Sequence, residues 1–261
     1  MAKKSKKSAF SIIELLVVIA IIASLTGLAI PAIRMMQQSY NSTGTEQMII
    51  AALSSARSIA MSEQRYAGVR FQKAYNPKYP DDPLKQDQYM IFIIYEEPRK
   101  MGNETNAFRV VEGMKPIKLP ENIGIMDMTN IGSDGEIDDP EKLINATAFS
   151  IVFSPAGKLA VREVQTRNKD GDASGTGSND DVFNTLDKVT DVGNPAGLFI
   201  QDESGVVGLA QESGRNSFVI YDRKTFAEYF DSGDAYSEYL KNLKEHNSIY
   251  INAYTGSIIE K

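Results

Sequence analysis

The chain has 261 residues, with 28 lysines and arginines against 34 aspartates and glutamates, and it contains one histidine and no cysteine. The lack of cysteine excludes disulfides and thiol catalysis, and His246 alone gives little support to a Ser-His-Asp triad. The net charge of −6 disfavours general nucleic-acid binding, because an acidic surface repels phosphate. We therefore expect neither an enzyme nor a nucleic-acid-binding protein.

The most distinctive stretch is an apolar segment at residues 10–33, in which Glu14 is the single charge. A helix over these 24 residues would reach about 36 Å, enough to cross a bilayer core of about 30 Å. Four lysines precede it without any acidic residue, which predicts a cytoplasmic N-terminus. A charge within a membrane costs about 2.5–3.5 kcal/mol on insertion scales, so Glu14 is expected to have a partner or a functional role.

These residues, KKSAFSIIELLVVIAII, resemble the start of a type IV prepilin or a type II secretion pseudopilin. The resemblance implies a basic leader at residues 1–9, cleaved between Ala9 and Phe10 by a prepilin peptidase. Phe10 would then be N-methylated, and Glu14 would pair with the N-terminal amine of a neighbouring subunit and set the axial register. Pro31 stands where the family has its helix-kinking proline. Ala9 differs from the glycine that is usual before the cleavage site.

Two other interpretations of the N-terminus remain open. A simple single-pass anchor explains the lysines and the apolar run, but it gives no reason for Glu14. A secretory signal peptide could be cleaved after Ala29, because Gly27 and Ala29 are small, but its apolar region would then contain a carboxylate. The prepilin interpretation accounts for more of the residues.

Beyond the membrane segment, the helix is predicted to continue over residues 34–65 as a periplasmic half. Ile49, Leu53, Ala56 and Ala60 recur at helical spacing, which predicts one apolar face covered by a sheet. A glycine at position 44 is a predicted weak point in this helix.

Residues 66–261 are predicted to form a β-rich globular head. The strands are expected at residues 66–71, 89–95, 108–111, 117–119, 149–153, 159–164, 197–201, 218–221, 248–253 and 257–259, and the second of these is expected to be central.

Three pieces of this region resemble the GspH/FimT-like minor pseudopilins: LSSARSIAMSEQRYAGVRF, FSPAGK and the terminal IYINAYTGSIIE. The resemblance implies an α+β, type IV pilin-like fold, with a long N-terminal helix packed on a mostly antiparallel sheet. Within the first piece, Arg57 could reach a carboxylate of the head or remain solvated.

An insertion is predicted at about residues 165–247. Its first part is rich in Gly, Ser and Asp, and Asp170, Asp172, Asp180 and Asp181 could bind Ca²⁺ through hard oxygen ligands. The terminal glutamate of a standard calcium loop is missing, so a solvated loop is the favoured interpretation. No other cofactor is expected. Residues 225–245 are predicted to be helical, with an interruption at Gly233, and His246 follows near a helix end, where a cation stabilises the helix dipole.

Taken together, the resemblance implies a minor pseudopilin in a type II secretion pseudopilus, anchored in the inner membrane with a periplasmic head. The expected partners are other pilins or pseudopilins, the prepilin peptidase, the inner-membrane assembly platform and possible secreted substrates. The alternatives are a minor pilin of a type IV pilus, serving adhesion, motility or DNA uptake, and a membrane-anchored binding protein that never polymerises.

Overall fold

The structure is a computed structural model, and it describes residues 15–16, 18–19, 44–97, 107–127, 137, 139–171, 180–202, 212–230 and 232–259. The chain divides into two compact units, Met1–Gly44 and Thr45–Lys261. In the first unit, residues 15–16 and 18–19 are helical. The predicted processing and assembly residues Ala9, Phe10, Glu14 and Pro31 lie outside the described residues. Within the described part of the chain, no helix is both long and apolar enough to span a bilayer.

The first long helix, α1, covers residues 44–63 and ends just before Gln64, which has a left-handed conformation with φ of 53°. The predicted apolar face is confirmed, because Ile49, Leu53, Ala56 and Ala60 are all at most 1% exposed. They pack in one core cluster with residues from both large sheets of the head. Burying such a face is what stabilises a helix of this kind, since propensity alone contributes little.

The first sheet is antiparallel and consists of β1 (Ala67–Lys73), β2 (Gln88–Glu96), β3 (Ala107–Val110), β4 (Ile117–Lys118) and β6 (Phe149–Phe153). Strand β2 is central, as its run of apolar residues predicted, with β1 on one side and β3 and β4 on the other. Strand β1 lies between β2 and β6 and is buried along its whole length.

The second sheet is also antiparallel, with the order β13 (Ile258–Ile259), β12 (Ser248–Ile251), β11 (Ser217–Asp222) and β5 (Ile123–Met126). The side chain of Gln88 joins the two sheets. It accepts a hydrogen bond from the Ile125 amide at 2.8 Å and donates to the Ile125 carbonyl at 2.7 Å. An amide side chain thus satisfies the backbone groups that β5 would otherwise leave unpaired.

Two short strand pairs and four further helices complete the head: β7 (Glu163–Val164) with β10 (Glu212–Ser213), the parallel pair β8 (Phe183–Asn184) and β9 (Phe199–Ile200), and the helices α2 (Pro140–Thr147), α3 (Leu186–Val189), α4 (Arg223–Tyr229) and α5 (Asp234–His246). The predicted break at Gly233 is observed, because this residue has a φ of 67° and separates α4 from α5.

Some elements of the structure differ from the prediction. Helix α2 was not predicted, although Asp139 caps it by accepting a hydrogen bond from the Lys142 amide, with a proline at its first position. The strand predicted at residues 159–164 is limited to β7, because Leu159 makes only an isolated bridge to Phe153.

The segment at residues 165–247 is integrated into the head. Strand β11 lies between β5 and β12, and its Phe218 and Ile220 belong to the same core cluster as the buried face of α1. A separate cluster unites the opposite face of β11 with α2, α4 and α5. The described parts of this segment therefore supply a share of the core that the head requires.

Candidate functional site

Three features of the head connect its separate segments: the contact of α1 with two turns, a buried ion pair and a buried lysine. The first of these is centred on Arg57. Its Nε donates a 2.7 Å hydrogen bond to the carbonyl of Gly157, in the turn that follows β6. Among the described residues, the partner of Arg57 is therefore this backbone carbonyl and not a carboxylate. The Arg57 side chain is partly exposed, so it is solvated only in part.

Glycines allow both turns to approach α1. Gly157 and Gly256 have φ of 72° and 66°, a region that L-residues with a side chain rarely adopt. A Cβ added at Gly256 would lie 2.7 Å from Cε1 of Phe153 and 3.2 Å from Cδ of Arg57. Phe153 is fully buried and cannot move aside. The absence of a side chain is thus what allows the C-terminal turn to contact the helix.

We expect Gly256→Ala to destabilise the head by about 2–4 kcal/mol, which combines a left-handed backbone cost of about 1 kcal/mol with an overpacking cost of about 1–3 kcal/mol. The matched control is Gly113→Ala, because Gly113 also has a positive φ of 77° but has no atom within 4 Å of an added Cβ. The free energy of unfolding of both variants is measured by urea denaturation of the full-length protein in detergent, monitored by circular dichroism. Equal losses of stability in the two variants would show that the close packing of Gly256 against Phe153 and Arg57 does not contribute to the cost of the substitution.

The second feature is a fully buried ion pair between Arg70 on β1 and Asp202, which follows β9. The Arg70 Nη2 and Asp202 Oδ1 atoms are 2.6 Å apart, and the two side chains are 1% and 0% exposed. Arg70 also donates to Gln72 at 2.7 Å, and the second oxygen of Asp202 accepts hydrogen bonds from the amide and the hydroxyl of Thr166. Burial raises the pKa of the Asp202 carboxyl above its ordinary value, and the opposing effects of Arg70 and Thr166 offset this only in part. These partners therefore replace only part of the hydration that the buried carboxylate has lost.

This ion pair was not predicted. Its residues are 132 positions apart in the sequence, and neither belongs to a recognisable motif. The one local signal is an arginine in the middle of a short strand, AGVRFQK, whose other positions are also buried. A charge at such a position has to find a partner, but the sequence does not indicate which carboxylate provides it.

The third feature is Lys73, at the end of β1. Its Nζ donates to the carbonyls of Pro83 and Gln86 at 2.7 Å and 3.5 Å, and so holds the loop between β1 and β2. Arg223 binds the same loop, donating to the carbonyls of Leu84 and Gln86 at 2.7 Å. Burial, with a contribution from the nearby Arg223, lowers the pKa of Lys73 to about 7. This lysine can therefore lose its proton near neutral pH.

The predicted calcium ligands do not form a cation site among the described residues. Asp180 is buried, and its two oxygens accept hydrogen bonds from the amides of Lys169 and Val182, each at 2.9 Å. Asp170 and Asp181 are exposed, and Asp172 lies outside the described residues. In the part of the chain that the structure describes, no group of three or more carboxylate or imidazole side chains could hold a metal ion. Calcium binding by this loop stays a prediction.

His246 lies exposed in the last turn of α5, together with Lys244. Its position agrees with the expected interaction of a cation with the C-terminal end of a helix dipole.

The comparisons with known proteins concern the N-terminus. The family model described as the prokaryotic N-terminal methylation motif matches residues 4–30, a stretch that contains Ala9, Phe10 and Glu14. No curated protein and no solved structure matches the chain. The motif is type IV prepilin-like, and it implies a membrane-anchored N-terminus, processing by a prepilin peptidase and association with other pilins in general. The N-terminal segment of this protein therefore carries the prokaryotic N-terminal methylation motif of type IV prepilin-like proteins.

Proposed function

We propose that this protein is a minor pseudopilin of a type II secretion system, inserted in the inner membrane with its N-terminus in the cytoplasm and its head in the periplasm. The observation that carries the proposal is the methylation motif at residues 4–30. After cleavage between Ala9 and Phe10, the subunit would be extracted from the membrane into a short pseudopilus. Its role would be structural and mechanical, without enzymatic activity.

The physical chemistry of the motif supports assembly. Processing would create a positively charged amine at Phe10, and Glu14 would provide a carboxylate in the same apolar segment. Two charges in such surroundings are tolerated when they are paired, and removing one partner leaves the other at a cost of about 3–5 kcal/mol. A pairing between Glu14 of one subunit and the amine of its neighbour would therefore set the axial register of the filament.

The head supports the mechanical part of the proposal. The buried face of α1 packs against both sheets, and Arg57 is hydrogen-bonded to a turn of the head. Residues 44–63 therefore do not project from the head as an isolated stalk. A force applied along this helix would act directly on the core of the head, as the proposed extraction requires.

The choice of a pseudopilin over a type IV pilus minor pilin rests on two pieces of the head. One is the short connection from α1 to β1. The other is the C-terminal hairpin, in which the turn at Gly256 joins β12 to β13. Both resemble the GspH/FimT-like minor pseudopilins. A minor pilin remains the second candidate, because the methylation motif fits it equally well. Deleting the gene would separate them: a pseudopilin is needed for protein export, and a minor pilin for pilus formation.

The first experiment is mass spectrometry of the N-terminus of protein isolated from its own host. We expect a chain that starts at a methylated Phe10, because the lysines, Ala9, Phe10 and Glu14 together form the pattern that a prepilin peptidase cleaves. Deleting the peptidase should leave the N-terminus at position 1. A chain that starts at Met1 in the presence of the peptidase, or at Ile30, would overturn the proposal.

Glu14→Ala tests assembly separately from processing. The variant should still insert in the membrane, since a charge has been removed from an apolar segment. It should be strongly depleted from sheared filament fractions, because the amine of the neighbouring subunit has lost its partner. The control is Glu63→Ala, which removes an exposed carboxylate at the end of α1 and should assemble normally. Normal amounts of Glu14→Ala in the filaments would contradict the pairing.

A further inference from the structure

A groove on the head lies between the loop after α3 and the chain that follows β1. Its volume is about 750 Å³, and we name it the Val192 groove. Its apolar side chains include Pro77, Val189, Val192, Pro195 and Leu198. Val192 is 99% exposed and Leu198 is 47% exposed, so the groove presents apolar surface to the solvent.

The loop that forms one wall of this groove is held at several points. The Asp191 side chain accepts hydrogen bonds from the amides of Gly193 and Asn194, at 2.8 Å and 3.2 Å. The Ala196 amide donates to the carbonyl of Lys188. The Leu198 amide donates to Val182, and the Leu198 carbonyl accepts from Tyr75 on the opposite wall. Val192 is therefore exposed on a loop with a defined conformation, and little ordering would be required when a partner binds.

The charged side chains that line the groove among the described residues are acidic. Three aspartates line it, at positions 180, 181 and 191, and among the described residues no lysine or arginine lines it, although Lys188 lies close enough to Asp191 to help lower its pKa. The oxygens of Asp180 accept backbone hydrogen bonds, so the exposed negative charges are those of Asp181 and Asp191. Hydrogen bonds from the amides of Gly193 and Asn194 lower the pKa of Asp191, which keeps it ionised at neutral pH. The surface is therefore complementary to a partner that is both apolar and cationic.

The groove continues into a second cavity. This cavity has a volume of about 320 Å³ and shares Tyr75 and Thr190 with the Val192 groove. Beyond these two residues it is lined by apolar side chains such as Ile144 and Ile200, by the amides of Gln72 and Gln86, and by one side chain of each charge, Lys73 and Asp81. Two adjoining depressions suit an extended chain better than a compact small molecule, because successive side chains can occupy successive pockets.

We propose that the Val192 groove binds an extended polypeptide segment in which one or two large aliphatic side chains are flanked by lysine or arginine. The aliphatic groups would pack against Val192 and Leu198, and the cations would face Asp181 and Asp191. A second copy bound through a twofold-symmetric contact is a poor occupant, since such a contact would bring these aspartates against their own counterparts, and a head-to-tail contact between copies is distinguished by the test below. The proposal does not depend on whether the protein belongs to a pseudopilus or a pilus.

The test measures binding of a fluorescein-labelled peptide, GKLVKLKG, to the full-length protein in detergent micelles. Binding is detected as an increase in the fluorescence anisotropy of the peptide. Two peptides serve as comparisons: GELVELEG reverses the charge, and GKSGKSKG removes the aliphatic groups. We expect binding of the first peptide and at least tenfold weaker binding of the other two. Equal binding of the first two peptides would overturn the electrostatic part of the proposal, and equal binding of the first and third would overturn the apolar part.

Variants of the protein test the location. Asp181→Asn with Asp191→Asn should weaken binding about five- to tenfold, because each exposed ion pair contributes modestly. Asparagine keeps the oxygen that organises the loop. Val192→Ser should weaken binding about tenfold, and it cannot disturb the core because Val192 is almost fully exposed. The matched control, Asp187→Asn with Glu238→Gln, removes two exposed charges outside the groove and should bind normally.

The opposite results identify other occupants. If both groove variants bind the peptide as well as the control does, the proposal is overturned. If Val192→Ser instead changes the sedimentation of the protein and leaves peptide binding unaltered, the groove is a contact between copies of this chain, and the peptide proposal fails.

Discussion

Replacing Asp202 by alanine is expected to destabilise the head by about 3–5 kcal/mol, the largest effect that we expect from a single substitution in this chain. The reason is the burial of its partner. Arg70 is 1% exposed on its side chain and lies in the middle of β1, between β2 and β6. Without the carboxylate, a guanidinium would remain buried with neutral partners alone, which costs much more than the loss of a surface ion pair.

Two further variants make this prediction specific. Glu228→Ala removes the carboxylate of an exposed ion pair with Lys224, where the side chains are 63% and 79% exposed, so we expect a change within about 0.5 kcal/mol. Replacing Arg70 by methionine and Asp202 by leucine together removes both charges, and this double variant should be more stable than Asp202→Ala alone. The free energy of unfolding of the three variants is measured by urea denaturation of the full-length proteins in detergent. A small loss in Asp202→Ala, similar to that of Glu228→Ala, would contradict the importance of the buried pair.

The stability of the head should also rise with pH because of Lys73. The pKa of this lysine is about 7 in the folded protein, against an ordinary value of 10.5. Between these values the unfolded chain binds a proton that the folded chain does not, so the free energy of unfolding increases with pH. Below pH 7 both states are protonated, and the cost of burying the charge is present in full. From pH 7.5 to 9.5 the contribution of Lys73 should add about 2 kcal/mol.

Lys73→Met isolates this contribution from the other groups that titrate. The free energy of unfolding of the unmodified protein, minus that of the variant, should rise by about 2 kcal/mol between pH 7.5 and 9.5. Lys78→Met provides the control, because it removes an exposed lysine from the same loop. A difference for Lys73→Met that stays constant with pH would show that Lys73 remains protonated when buried.

The functional residues divide between those that a local pattern reveals and those that it does not. The processing motif could be recognised from the sequence because all of its residues lie within one short segment. The position of Arg57 on α1 was recognised as well, but its partner was not, because Gly157 is 100 residues away and contributes a carbonyl that has no signature in a sequence. The sequence indicated Asp180 as a calcium ligand because the surrounding loop is rich in aspartate and glycine. It could not indicate that the two oxygens of Asp180 accept hydrogen bonds from backbone amides.

The sequence by itself determined the local structure that depends on periodicity and turn residues. The buried face of α1, the strands β1, β2, β6 and β11, and the break between α4 and α5 all follow from apolar spacing or from a glycine. The tertiary structure alone decided which distant segments meet. The pairing of β11 with β5, the joining of the two sheets by Gln88, and the burial of Arg70 against Asp202 each connect residues that are far apart in the chain. The physical reason is that a periodic pattern records which face of an element is buried, whereas the partner of a buried polar group is selected by the packing of the whole head.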